Sequence, residues 1–215
     1  DMLRLMDGDT VELQTNDKHC ALIRCGTAQY LIPLLNAEEY PRMELPCPED
    51  TVPVSGIPKM AKRTVFAVSE EEGKPLMKCV HLVFSSDGLK AVGSDGYRIA
   101  AAKGETRAAA SASFLLPAGS LEKLAFLVND RDTLRVGLAG HTVVFMKEDF
   151  LFSARIVEGT YFNSDQLFQM AKPAFTVLTD AKAVLETVNS ATAVIGTRNR
   201  FCLTFGENRL RSRCE

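Results

Sequence analysis

No run of apolar residues in this chain approaches the roughly 20 needed to cross a bilayer as a helix. Residues 1–9 contain no apolar signal core, so a secreted precursor is not expected and a cytoplasmic protein is. Bulk positive charge is missing too: 25 Lys and Arg stand against 27 Asp and Glu, a formal net charge of −2. Any contact with nucleic acid must therefore come from charge gathered on one surface. The six cysteines form no C-x-x-C pair. Only His19, Cys20 and Cys25 cluster, on a strand-like segment where positions five apart point to opposite faces, so reduced thiols are expected and a zinc site is not. Motifs for chemistry are absent as well: there is no G-x-x-x-x-G-K loop and no G-x-S-x-G elbow. Glu70, Glu71 and Glu72 are adjacent carboxylates, read as a solvated helix end rather than a metal site. His19, His81 and His141 lie in unrelated strand-like segments. No catalytic residue, metal or cofactor is expected.

What the chain does have is many short strand-like runs: residues 10–13, 20–25, 30–34, 80–84, 89–92, 134–138, 143–146 and 151–156. Asp87-Gly88 and Ala139-Gly140 mark hairpin turns. Helical periodicity appears in residues 58–69, 120–128 and 181–191, with Ser120 and Asp180 as N-caps of the second and third. Helices scattered among antiparallel hairpins predict an α+β fold.

The chain also repeats itself. Residues 81–90 resemble 202–211, with Phe84 and Phe205 separated by 121 positions (205 − 84). The same offset relates residues 34–40 to 155–161, since Tyr40 and Tyr161 are 121 apart (161 − 40). A unit of that size is a duplicated domain, not a small solenoid repeat. The expected organisation is residues 1–51 as the back half of one unit, 52–168 as a complete unit and 169–215 as a front half. Pro46, Pro48 and Pro53 punctuate the first junction, and Lys172-Pro173 the second. This arrangement, and Asp at position 1, lead to the expectation that the chain is part of a longer architecture.

Residues 64–69, 74–80, 93–100, 114–117 and 156–162, taken in order, resemble successive landmarks of the bacterial DNA polymerase III β sliding clamps. The resemblance runs from the end of that family's first domain through the second to the start of the third. It implies the DNA-clamp fold, with antiparallel sheets and helices on the inner face, and a non-catalytic ring that encircles duplex DNA. On a helical wheel Lys59, Lys62 and Arg63 share an arc with Phe66, opposite Met60, Ala61, Thr64, Val65 and Val68. A basic face of this kind suits sequence-independent contact with phosphates, and the resemblance adds Lys74 and Lys78 from a neighbouring loop. On the second helix Lys123 stands alone, and Ala118-Gly119 occupy positions where relatives often carry basic residues.

The resemblance further implies a hydrophobic groove for short linear peptides of the polymerase III alpha and clamp-loader subunits. The groove would use Ser94, Gly96, Tyr97, Arg98 and Ile99, with Phe162, Gln166 and Leu167. Phe162 replaces a common Pro and Gln166 a common basic residue. Head-to-tail homodimerisation, in a full-length protein, would use Tyr30 and Ile32 against Val194 and Ile195. Two rival expectations are a clamp-like partner-binding protein that does not load on DNA and a metal-dependent nuclease or hydrolase built on Glu70–Glu72.

Overall fold

Runs of apolar residues alternating with polar ones form short antiparallel strands, and Gly26 and Gly140, both at positive φ, sit in two of the turns between them. The computed structural model describes residues 2–6, 8–40, 46–104, 111–195, 201–206 and 209–214. They divide into two compact units, Asp1–Glu158 and Gly159–Glu215.

The first unit opens with a three-stranded meander, β1 (Glu12–Asn16), β2 (Cys20–Cys25) and β3 (Ala28–Pro33). Two related motifs follow. The first is β4 (Val52–Val54), α1 (Ile57–Thr64), β5 (Cys79–Ser85), β6 (Gly88–Ser94) and β7 (Ile99–Gly104). The second is β8 (Ala112–Pro117), α2 (Ala118–Leu127), β9 (Leu134–Ala139), β10 (Thr142–Lys147) and β11 (Phe150–Arg155). Each motif gives its first strand to the other's sheet, so the orders are β7-β6-β5-β8 and β11-β10-β9-β4. That exchange ties the two halves together. Between the sheets and helices lies one core, where Leu82, Leu89, Leu116, Leu121, Leu124, Leu134 and Phe145 are fully buried. Burying a side chain of this size stabilises the fold by about 1.5–3 kcal/mol.

Local details differ from the sequence expectation. The first helix ends at Thr64 and tightens into a 3-10 turn, Val65–Ala67, instead of running to Ser69. Buried Thr64 donates its hydroxyl to the Met60 carbonyl at 2.8 Å, competition with helix geometry that β-branched Thr64 and Val65 reinforce. The helix end also lies hard against β6, where a Cβ on Gly93 would fall 2.4 Å from the Thr64 carbonyl oxygen. Ser120 is not an N-cap. Helix α2 begins two residues earlier, with Pro117 at the cap and β8 running straight into it. The hairpin turns sit one residue from their expected places, at Ser86-Asp87 and Gly140-His141.

The second unit holds α3 (Ser164–Met170), α4 (Ala181–Ile195) and the hairpin β12 (Phe201–Gly206) and β13 (Arg209–Cys214). Asp180 caps α4 as expected, accepting from the backbone N–H groups of Lys182 and Ala183. The repeat is visible in hydrogen-bond register: Phe84 pairs with Leu89 in β5–β6, and Phe205 with Leu210 in β12–β13. In the second and third strands of the meanders the offset is 122, not 121. The Leu34 N–H donates to the His19 carbonyl at 2.6 Å, and the Ile156 N–H to the His141 carbonyl at 3.0 Å. Glu207 and Asn208 of the repeated segment, and the side chains of Val194 and Ile195, lie outside the described residues.

Candidate functional site

Helix α1 is amphipathic because its buried residues recur at helical spacing: Ile57, Met60, Ala61 and Thr64 face the core. That leaves Lys59, Lys62 and Arg63 exposed, joined by Phe66 in the following turn, which keeps 61% of its surface in solvent. Together with Pro58, Ala100, Ala101 and Asp130 they line an open groove of about 900 Å³. The small residues Ala100 and Ala101 from β7 lie in the groove without crowding it. Asp130 anchors the start of α1, its carboxylate accepting the Lys59 backbone N–H at 2.8 Å. The sequence reading found the cations but missed Ala100, Ala101 and Asp130, whose proximity depends on strand and turn packing.

The other two expected DNA contacts flank the 3-10 turn Pro75–Lys78, which packs against β5 and β6. Lys78 ends the 3-10 turn Pro75–Lys78 and is exposed. Lys74 is engaged: its ammonium meets the Glu71 carboxylate at 2.8 Å. That hydrogen bond and the carboxylate's charge raise the lysine pKa, so the ammonium stays charged and a phosphate must compete with Glu71 for it. Glu71 thereby serves an ion pair. Among the described residues no three His, Cys, Asp or Glu side chains converge as a metal site. No helix among them is long and apolar enough to cross a membrane.

The Ser94–Ile99 turn is fixed by its own polar groups. Buried Ser94 donates to the Arg98 carbonyl at 2.8 Å and accepts the Gly96 N–H at 3.1 Å. Asp95 accepts the Tyr97 and Arg98 N–H groups, each at 2.9 Å, and pairs with the Arg98 guanidinium, also at 2.9 Å. The backbone donors of Arg98 and Tyr97, ahead of the guanidinium charge, hold the Asp95 carboxyl below its ordinary pKa. Gly96 takes φ +94°, a left-handed conformation that suits glycine. The turn thus presents Tyr97, 92% exposed, from a rigid base, with Ile99 half-buried at the start of β7.

Phe162, Gln166 and Leu167 belong to the second unit. Phe162 is half-buried against Tyr161, the ring centroids 4.4 Å apart. Gln166 and Leu167 lie exposed on α3, a helix the sequence reading missed. Asn163 caps it, accepting from the N–H groups of Asp165 and Gln166. Asn163 with Gln166 three residues later was the available signal. Of the four expected interface residues, Tyr30 and Ile32 lie on edge strand β3, the first exposed and the second half-exposed. Val194 and Ile195 close α4.

This geometry has close parallels. The family model for the DNA polymerase III beta subunit, central domain, matches residues 51–163. The beta sliding clamp of Bacillus subtilis is 25% identical over 189 residues, 85% of this chain and 49% of that protein. That of Synechococcus elongatus is 29% identical over 172 residues, 76% of this chain and 46% of the relative. The chain thus spans about half the length of these curated relatives. The solved DNA polymerase sliding clamp of Bacillus subtilis superposes with a TM-score of 0.79 at 20% identity, covering 98% of this chain and 57% of that one. The DNA polymerase III beta subunit of Thermotoga maritima gives 0.80 at 20% identity, covering 98% and 58%. The fold is therefore the α+β sliding-clamp fold, and with more than half of its residues matched by the central-domain model the chain belongs to the DNA polymerase III beta subunit family.

Proposed function

We propose that this chain acts as a DNA sliding clamp, a non-catalytic processivity factor that holds duplex DNA and tethers a replicative polymerase. The observation that carries this reading is the exposed cationic face of α1 on a protein of net charge −2. Lys59, Lys62 and Arg63 supply it, and exposed Lys78 and the Glu71-paired Lys74 would add phosphate contacts from a separate turn. Lysine and arginine on a rigid helix contact phosphates through charge and release counterions, so affinity does not depend on base sequence. Such contacts let a ring slide.

Partner choice would then reside in two sets of residues, Ser94, Gly96, Tyr97, Arg98 and Ile99 in the first unit and Phe162, Gln166 and Leu167 in the second. These residues would take short peptides of the polymerase III alpha and clamp-loader subunits through aliphatic or aromatic anchors. The domain assignment we favour remains residues 1–51, 52–168 and 169–215 as a back half, a complete unit and a front half. Ring closure would join the Tyr30 and Ile32 strand of one copy to the Val194 and Ile195 segment of a second, a head-to-tail contact. A cytoplasmic replication role accords with these assignments.

The test is duplex binding by fluorescence anisotropy at low salt with two unrelated 30-base-pair sequences. Both should bind alike, and replacing Lys59, Lys62, Arg63, Lys74 and Lys78 with alanine should lower affinity at least tenfold. Lys74→Ala alone should do least, because Glu71 already competes for it. Equal binding by wild type and the five-fold variant would overturn the assignment.

A further inference from the structure

The groove beside α1 has a composition that phosphate contacts alone do not require. A face built only to slide along a continuous duplex needs cations, yet Phe66 stands among Lys59, Lys62 and Arg63 with 61% of its surface exposed. Its sequence neighbours pack inward: Ala67 is fully buried, and Val65 and Val68 lie against the core. The turn could have kept an apolar residue inside at this spacing, but the ring points outward. Beside it Ala100 and Ala101 offer small side chains, leaving an open slot of about 900 Å³ walled by three cations and one aromatic ring. Asp130, the slot's acidic member, is turned to the Lys59 backbone N–H at the start of α1.

Cations for a phosphate next to a flat apolar surface for a ring is the chemistry of a nucleotide whose base is unstacked. Aromatic side chains interleaved with lysine and arginine form the stacking platforms by which proteins hold single-stranded nucleic acid without sequence preference. Bases inside a continuous duplex are stacked on their neighbours and present no face to such a ring. We propose that Phe66 is a stacking residue for an unpaired DNA base, so that the α1 groove favours DNA containing a gap or a single-stranded junction over unbroken duplex. This inference rests on the DNA-binding reading above and adds a preference to it. Lys62 and Arg63 hold the phosphates of either DNA, and Phe66 adds affinity only where a base is free.

The chain has no tryptophan, so Phe66→Trp introduces a single indole at the site. Its emission should be quenched when a fluorescein-free oligo(dT) of 15 nucleotides is added, and much less by a blunt duplex at equal occupancy. In parallel, anisotropy would compare wild type and Phe66→Ala on a blunt 30-base-pair duplex and on the same duplex with a five-nucleotide gap. Phe66→Ala should weaken gapped DNA by about five- to tenfold, the lower part of the range for loss of one stacked base. It should leave the blunt duplex within about twofold. Unquenched indole emission with DNA bound, together with equal losses on both DNAs or none, would overturn the stacking role and leave the cationic face intact. Loss of neither DNA on removing Lys59, Lys62 and Arg63 would instead overturn the DNA-binding reading, and the stacking role with it.

Discussion

The three-stranded meanders β1–β3 and β9–β11 share a plan and differ in what covers them. The row Leu13–Ile23–Tyr30 runs across the first, and the corresponding row Val136–Phe145–Phe152 across the second, paired in equivalent register. In the second row Phe145 is fully buried, Val136 is 4% exposed, and the rings of Phe145 and Phe152 meet edge-on at 6.3 Å. In the first, Leu13 is 64% and Tyr30 42% exposed, and only Ile23 is buried, at 7%. Apolar residues at matching positions are therefore not equal contributors. The β9–β11 row shares a core with α1, α2 and the other sheet, whereas no residue of β1–β3 belongs to that core.

The sharpest way to break this comparison is to cut the central residue of each row. Phe145→Ala should cost about 3–5 kcal/mol, since a fully buried ring leaves a cavity. Ile23→Ala should cost about 2 kcal/mol, the low end for such truncations, and Leu13→Ala should fall within about 0.5 kcal/mol of wild type. Urea denaturation monitored by circular dichroism would rank them. Equal losses for Phe145→Ala and Leu13→Ala would mean that burial does not separate the two sheets.

A smaller effect comes from adding a methyl group. Gly137 on β9 lies so close to the preceding segment that a Cβ would fall 2.5 Å from the Asp50 carbonyl oxygen and from Pro48. Gly137→Ala should destabilise by about 1–3 kcal/mol through overpacking. Gln14, at the matching place on β1, is exposed, and Gln14→Ala should be near neutral. A melting temperature for Gly137→Ala at or above that of wild type would show that the close approach has room to relax.

The mildest contrast is carried by a proton. His81 on β5 is half-buried, whereas its counterpart on β12, Cys202, is exposed. Burial first, then the charge of Lys90, lowers the His81 pKa. Because the fold disfavours the imidazolium, this contribution is fully present above the ordinary histidine value of about 6.5 and fades as pH falls below it, where the unfolded chain takes up the proton more readily. The urea midpoint should therefore drop between pH 7.5 and 5.5, and His81→Gln should remove most of that drop. The lowered carboxyls of Asp95 and Asp132 act only near and below their ordinary value, so they do not interfere in this window. A His81→Gln profile as steep as wild type would assign the effect elsewhere.

Much of this was legible in the sequence because it depends on period and spacing. The wheel separated exposed Lys59, Lys62, Arg63 and Phe66 from buried Met60, Ala61 and Thr64, since 3.6-residue periodicity fixes which side chains share a face. The repeat showed through the matching Phe84 and Phe205, each opposite a leucine. What escaped depends on competition between neighbours. Helix α2 starts at Ala118 because β8 feeds directly into it through Pro117, so the attractive cap at Ser120 is bypassed. Within the meanders the offset steps from 123 (136 − 13) to 122 (145 − 23) because a three-residue turn, Asp17 to His19 with His19 at φ +52°, stands where the second meander uses two residues. The Glu71–Lys74 pair and the approach of Ala100 and Ala101 to α1 are tertiary facts that no single segment encodes.

The central claim, that the α1 face holds DNA through its phosphates, is tested most directly by salt dependence. Observed affinity for a blunt duplex should fall linearly on a log–log plot of binding constant against salt, with a slope of about −0.9 for each phosphate neutralised. Replacing Lys59, Lys62 and Arg63 with alanine should flatten that slope by about 2 to 3. An unchanged slope in the triple variant would contradict the account, because it would place the phosphate contacts on some other face of the molecule.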